Sequence, residues 1–270
     1  MSGVDFVVNC YERTYRGLLQ PERLEGLIGQ HRFRFTSRTV LINNVDDRKD
    51  AQRVAKGAIE AGLIDRAFFV GDNLASALAA TGLKPRHLRR LPHFTDCCLV
   101  AVTIAGPEML VYWDADAMLE EPRDWISPCL ALMAERTDIA VANPESWHGL
   151  AEREALSIEG RFAIGYGFSD VAFLARRSEL ARPIYRYLAP ASWRHPLAHV
   201  EAMFEQRVDS YMRRTGRLRA TWLDAIYLHE GDAGINYPDI GLRERARRKA
   251  FRKLFALAQL SSHPALRAFP

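Results

Sequence analysis

Four short apolar runs in the first half of the chain each end on or just before an asparagine or aspartate, and this recurrence restricts the fold more than any other feature. Residues 4–8 stop at Asn9, residues 38–42 at Asn43 and Asn44, residues 67–70 before Gly71-Asp72-Asn73, and residues 109–113 at Asp114. Runs of four or five largely apolar residues are too short for helices and suit strands covered on both faces. Residues 21–29, 50–61 and 74–80, lying between them, read as helices. Strands alternating with helices imply an α/β fold with a doubly wound, mostly parallel sheet. In such sheets ligands bind outside the carboxyl ends of the strands, where these polar residues fall. Further strands are expected over 139–142, 171–175 and 218–223.

The chain has 270 residues, of which 48% are hydrophobic and 26% charged, enough for one sizeable core. Its net charge of +4 is concentrated: residues 243–253 hold seven basic residues and one acid, leaving 30 bases against 32 acids elsewhere. The bulk of the chain is therefore nearly neutral, and no nucleic-acid partner is expected. Residues 1–241 are assigned to one domain and 242–270 to a basic amphipathic tail. Between 242 and 260 the apolar residues mostly recur at helical spacing among the cations, a pattern suited either to packing on the domain or to an anionic membrane surface. Cys10, Cys97, Cys98 and Cys129 form no C-x-x-C pair. With no signal-peptide pattern at the start, a cytoplasmic location is expected, with peripheral contact to the inner face of a membrane through residues 242–260.

The chemistry centres on Trp113-Asp114-Ala115-Asp116. Two carboxylates spaced by two at a strand end are expected to point to the same side, about 6.6 Å apart by the strand rise. Aspartate oxygens suit Mn²⁺ or Mg²⁺, and Mg²⁺ is commonly held by one or two carboxylates plus substrate phosphates. An apolar strand leading into Asp-x-Asp, well inside an α/β chain, resembles the GT-A-fold glycosyltransferases, in particular the inverting bacterial enzymes. The resemblance implies a metal-dependent transfer of a sugar from a nucleotide-diphosphate donor, a UDP-sugar by default, to the hydroxyl of a glycan, lipid-linked or small-molecule acceptor. Polysaccharide or glycan biosynthesis is the implied setting, with Asp114 and Asp116 at the metal.

A second block, 216–229, starts at Gly216 and ends at His229, like the late segment of those enzymes, where a histidine completes the metal's coordination. His229 is the implied third ligand. The helix upstream should supply the general base that takes the acceptor proton. Glu205 falls nearest that position, and Glu201 and Asp209 flank it at i−4 and i+4. Asp209 can instead pair with Arg213 at i+4.

By the same resemblance, Asn9 and Tyr11 after the first strand would line the nucleotide. Asn43, with Asp46 and Asp47 behind it, would meet the base, and Asp72 is a further candidate. For all of these, capping or turn formation is the alternative. Ser169 and Asp170 would bind sugar hydroxyls, Arg176 or Arg177 would face phosphate, and Trp193 and His195 would lie in an acceptor loop. Three rivals stay open: a haloacid-dehalogenase-type phosphatase with Asp114 as nucleophile, a sugar nucleotidyltransferase, and a non-catalytic sugar-nucleotide-binding protein. The second usually has a glycine-rich loop after its first strand, and residues 9–16 contain no glycine.

Overall fold

The computed structural model describes residues 3–88, 90–146, 149–194 and 201–229, together with 246, 249 and 250. His195 and the expected tail helix over 242–260, apart from those three residues, lie outside the described set. The chain runs β1 (Val4–Cys10), α1 (Tyr15–Leu18), α2 (Pro21–Gly29), β2 (Ser37–Ile42), α3 (Arg48–Glu60), β3 (Arg66–Phe69), α4 (Val70–Ala80), α5 (Asp96–Thr103) and β4 (Met109–Asp114). It continues through β5 (Ala117–Leu119), α6 (Ile126–Glu135), β6 (Ile139–Glu145), α7 (Leu150–Glu154), β7 (Ser157–Glu159), β8 (Phe162–Gly165), β9 (Ala172–Arg176), α8 (Arg177–Leu180), α9 (Phe204–Thr215) and β10 (Leu218–His229).

Nine strands form a path in the order β3-β2-β1-β4-β9-β6-β10-β8-β7, and β5 pairs with β10 beside it. β3, β2, β1 and β4 are mutually parallel, β9 runs against β4 and β6, and β10 is parallel to β6. Seven of the ten strands thus point one way and β5, β8 and β9 the other. This is the expected mostly parallel α/β sheet.

Both faces of the sheet are buried, and the period of two along each strand divides the core. Val4, Phe6 and Val8 of β1 with Val111 and Trp113 of β4 pack into one cluster, under α2, α3 and α6. Val7, Leu41, Leu110 and Tyr112 face a second cluster with α4, α5 and α9. Trp113, which immediately precedes Asp114, packs edge-on against His31 at 4.5 Å between ring centroids. His31 Nδ1 accepts a hydrogen bond from Trp125 Nε1 at 3.0 Å, and burial depresses its pKa to about 3.

Several boundaries differ from the sequence expectation. α5 was not expected; seven of its eight residues, Asp96 to Val102, are buried, so it shows no polar face to mark a helical period. Val70 begins α4 instead of ending a strand, which moves Asp72 into the first turn of that helix. β10 extends to His229, well past residue 223.

Candidate functional site

The order of the strands creates the site. From β1 the chain steps outward to β2 and β3, then returns to the other side of β1 as β4. Adjacent parallel strands whose connections depart to opposite sides leave a crevice at their carboxyl ends. Asn9 and Asp114 are register partners at that point. Asn9 Oδ1 is buried there and has no hydrogen-bond partner among the described residues. An unsatisfied buried acceptor is costly unless a ligand or water meets it.

Asp114 ends β4 and Asp116 lies in the turn that leads into β5. Because the chain turns at Ala115–Asp116, the strand-rise geometry expected between the two carboxylates does not apply. Both are half-buried, with Ala115 buried between them. Tyr112 Oη donates to Asp114 Oδ1 at 3.2 Å. The Tyr11 phenol, 39% exposed, lies in the field of both acids: burial raises its pKa, Asp116 and Asp114 raise it further, and Arg13 opposes them. β5 then pairs antiparallel with β10, setting Ala117 opposite His229. The backbone of the expected third ligand is therefore next to the Asp-x-Asp turn. Among the described residues, no three His, Cys, Asp or Glu groups form a ready-made metal cage. Two aspartates at a crevice with an orphaned acceptor beside them fit a hard cation that shares its coordination with a substrate's phosphates.

A second group of acids faces this turn. β9 leaves Val171, whose carbonyl accepts from Asp114 N at 2.9 Å, so the 165–170 loop abuts the end of β4. Glu205, in the first turn of α9, accepts from Asp170 N at 3.3 Å through Oε1. The Asp170 carboxyl is pushed well above the usual carboxylate range by burial, then by the nearby Glu205 and Asp114 carboxylates. Ser169 Oγ and Tyr227 Oη are 2.8 Å apart. Tyr227 is raised to about 12 by burial, with the Glu205 and Asp170 charges adding to it, so it joins the same cluster.

Several expected site residues serve the fold instead. Asp209 is fully buried: its Oδ1 accepts Gly167 N at 2.8 Å, and Arg213 Nε donates to both oxygens at 3.1 and 3.0 Å. A buried carboxylate held by these two donors, one of them its counterion, fastens the 165–170 loop to α9. Glu201 precedes α9, which starts at Phe204, so it does not share a helical face with Glu205. Its oxygens accept Arg90 N at 2.7 Å and Leu91 N at 3.2 Å. Asp72 is ion-paired with Arg48. Asp47 caps α3 through Asp50 N at 3.0 Å, and Asp46 N donates to Glu12 at 2.8 Å.

Arg176 and Arg177 do not face phosphate. β9 is antiparallel to β4 with Met109 opposite Arg176, which carries both arginines to the far end of the sheet. There Arg177 pairs with buried Asp5, joined by Arg66 at 3.0 Å. Asn43 does reach the carboxyl edge, but its Nδ2 donates to Asp96 Oδ1 at 2.9 Å. Asp96 is raised to about 6 by burial, against its hydrogen bonds from Asn43 and Cys97 N. Trp193 lies in the short 3₁₀ segment Pro190–Arg194, 38% exposed.

Asp96, Tyr112 and Tyr227 were not singled out from the sequence. Tyr227 is two residues before His229 in the 216–229 block, which is the one signal that pointed to it. A surface depression of about 450 Å³ lies elsewhere, between α1, α2 and α3, lined by Arg16, Asp50 and Arg53 among others. Its charges compensate one another, and none of its lining residues belongs to the acidic cluster.

No family model matches the sequence, and no curated protein matches it. Among solved structures, the chain is similar to glucosyl-3-phosphoglycerate synthase from Mycobacterium tuberculosis in complex with Mg²⁺ and uridine diphosphate. The TM-score is 0.45 at 13% identity, over 100% of this chain and 80% of that one. It is also similar to GalNAc-T7 with UDP, GalNAc and Mn²⁺, at TM-score 0.46 and 8% identity over 99% and 53% of the two chains. Mouse xyloside xylosyltransferase 1 follows at TM-score 0.41 and 11% identity, over 80% and 84%. Likenesses this distant add nothing to what the chain's own residues show.

Proposed function

We propose that the chain is a metal-dependent glycosyltransferase that moves a sugar from a nucleotide-diphosphate donor, a UDP-sugar by default, to an acceptor hydroxyl with inversion. The observation that carries this reading is the meeting of two acidic groups at the switch-point crevice. Asp114 ends β4 beside Asn9, and Glu205, which accepts the Asp170 N–H, joins it through Asp170, whose carboxyl feels the charges of both. Glycan or polysaccharide synthesis is the setting in which such a transfer is used.

Asp114 and Asp116 would hold Mn²⁺ or Mg²⁺, with His229 as third ligand. The bound cation would neutralise the diphosphate and make it a better leaving group. Asn9 and Tyr11 flank the Asp-x-Asp turn and would meet the nucleotide. Asn43 is turned towards Asp96 by its amide nitrogen, which leaves its oxygen as the acceptor for a donor on the base. Ser169, paired with Tyr227, would orient a sugar hydroxyl.

Glu205 would take the acceptor's proton as the new bond to the anomeric carbon forms, because a carboxylate is too weak a base to remove it beforehand. The Asp170 N–H and the first turn of α9 would position this carboxylate towards the acceptor. Attack from the side of Glu205, away from the departing diphosphate, inverts the anomeric centre.

Thermal shift with nucleotide sugars, with and without Mn²⁺, tests the reading. Wild type should be stabilised by UDP or a UDP-sugar only when Mn²⁺ is present, and Asp116→Ala should lose that response. An Asp116→Ala protein with normal metal-dependent donor binding would refute the assignment. A phosphoaspartate trapped at Asp114 would point to the phosphatase instead.

A further inference from the structure

Two loops meet against α9 and present an exposed surface that is both cationic and apolar. The first is the turn around the 3₁₀ segment Pro85–His87, and the second is the stretch 182–193. Arg207, on α9, joins them: its Nη1 donates to Tyr185 O at 2.8 Å and its Nη2 to His87 O at 3.0 Å. At Gly82 an added Cβ would come within 3.0 Å of the Pro183 Cβ, so the loops are in direct contact.

Lys84, Arg86 and Arg186 are exposed on this surface, and none has an ion-pair partner among the described residues. Their fields converge on His87: burial lowers its pKa, and Arg207, Arg86, Arg186 and Lys84 lower it further. Nearby acids are already engaged. Glu179 is buried against Tyr211, Arg182 and Arg217, and Glu201 caps the backbone of Arg90 and Leu91.

Beside the cations, Tyr187 is 41% exposed, Trp193 38% and Leu188 67%. These side chains stand on a firm base. The Tyr187 ring lies 5.7 Å from that of Tyr211, and Ala189 N donates to Ser210 Oγ at 3.3 Å. One exposed leucine is ordinary, but Leu188 shares this surface with two half-exposed aromatics and three cations. Flanked by Tyr and Trp, it has the composition of an element that enters the headgroup region of a bilayer. Anionic headgroups would supply the missing countercharge.

We propose that the surface formed by Lys84, Arg86, Arg186, Tyr187, Leu188 and Trp193 docks the protein on an anionic membrane surface. It includes none of residues 242–260 and does not depend on the glycosyltransferase reading. If that reading holds, the shared helix α9 would set Glu205 close to an acceptor anchored in the bilayer.

The test is co-sedimentation of the full chain with phosphatidylcholine vesicles made with and without phosphatidylglycerol. Wild type should bind the anionic vesicles, be released by salt, and ignore the zwitterionic ones. Arg86→Glu/Arg186→Glu should weaken partitioning by about tenfold or more, and Leu188→Glu should weaken it with the cations intact. All three positions are on the surface, so the variants should keep wild-type melting temperatures and wild-type Mn²⁺-dependent UDP binding. That last measurement separates a failure here from a failure of the proposed chemistry. No binding of wild type to anionic vesicles overturns the proposal, as does undiminished binding of the charge-reversed protein. Retention by RNA with vesicles ignored assigns the surface to nucleic acid and also overturns it.

Discussion

Glu205 Oε1 accepts the backbone N–H of Asp170 at 3.3 Å, which ties the first turn of α9 to the loop that abuts the end of β4. Replacing Glu205 with Gln keeps an acceptor for that N–H and removes only the basic oxygen. Glu205→Gln should therefore fold normally and bind UDP with Mn²⁺ as wild type does, while kcat falls about 100- to 10,000-fold. Steady-state turnover beside a binding isotherm checks this; an unchanged kcat would remove Glu205 from the chemistry.

Asp209, one turn further along the same helix, should behave in the opposite way. Its loss leaves Gly167 N without its acceptor and Arg213 without its counterion in a mostly buried setting. Asp209→Ala should lower unfolding stability by about 2–3 kcal/mol, somewhat less than for a fully buried pair because Arg213 reaches solvent. Urea denaturation measures it. A stability loss as small as that of Glu205→Gln would mean the Asp209 contacts do not fasten the loop.

His31 should make the fold acid-sensitive. Burial lowers its pKa from about 6.5 to about 3, so between those values the unfolded chain binds more protons than the folded one. The stability this group contributes is complete above about pH 6.5 and is lost as pH falls towards 3. From neutral pH down to about pH 5 the loss should be about 2 kcal/mol. Denaturation at the two pH values should show a shallower decline for His31→Gln, which keeps an acceptor for Trp125 Nε1.

Asp96 has the opposite sign. Its folded pKa of about 6 is above the ordinary value of about 3.9, so the folded state binds more protons between them. Stability from this group rises as pH falls from about 7 to about 4.5, by about 2 kcal/mol. In Asp96→Asn, where the hydrogen bond from Asn43 can persist, that gain should vanish. Comparing the pH slopes of the two proteins isolates it from the decline caused by His31.

The strands were readable because each is covered on both faces: β1 and β4 are apolar almost throughout, and no polar alternation obscures them. The same burial concealed α5, whose run Asp-Cys-Cys-Leu-Val-Ala-Val-Thr has no solvent face to reveal its period. Asp114 was legible as a strand end, whereas its relation to Asp116 was not, since nothing in Asp-Ala-Asp fixes where the strand gives way to a turn. Arg176 and Arg177 were misplaced because sequence does not record strand direction. Once β9 runs antiparallel, its start lies at the crevice and its end at the opposite edge. Asp209 was correctly weighed as a partner of Arg213, a spacing that any helix brings together, while its bond to Gly167 N depends on tertiary packing. Asp96 and Tyr227 acquire their place only through contacts across the chain, with Asn43 and with Ser169.

β10 slips in register between Trp222 and Ile226, where Trp222 faces Pro144 and Ile226 faces Glu145. The slack taken up there sets which residue arrives opposite Ala117 at the far end of the strand. Natural variants or designs that lengthen or shorten this kink by one position would deliver Leu228, or the residue after His229, to the Asp-x-Asp turn. The pairing of Ala117 with His229 is thus held in phase by a distortion several residues away from the Asp-x-Asp turn.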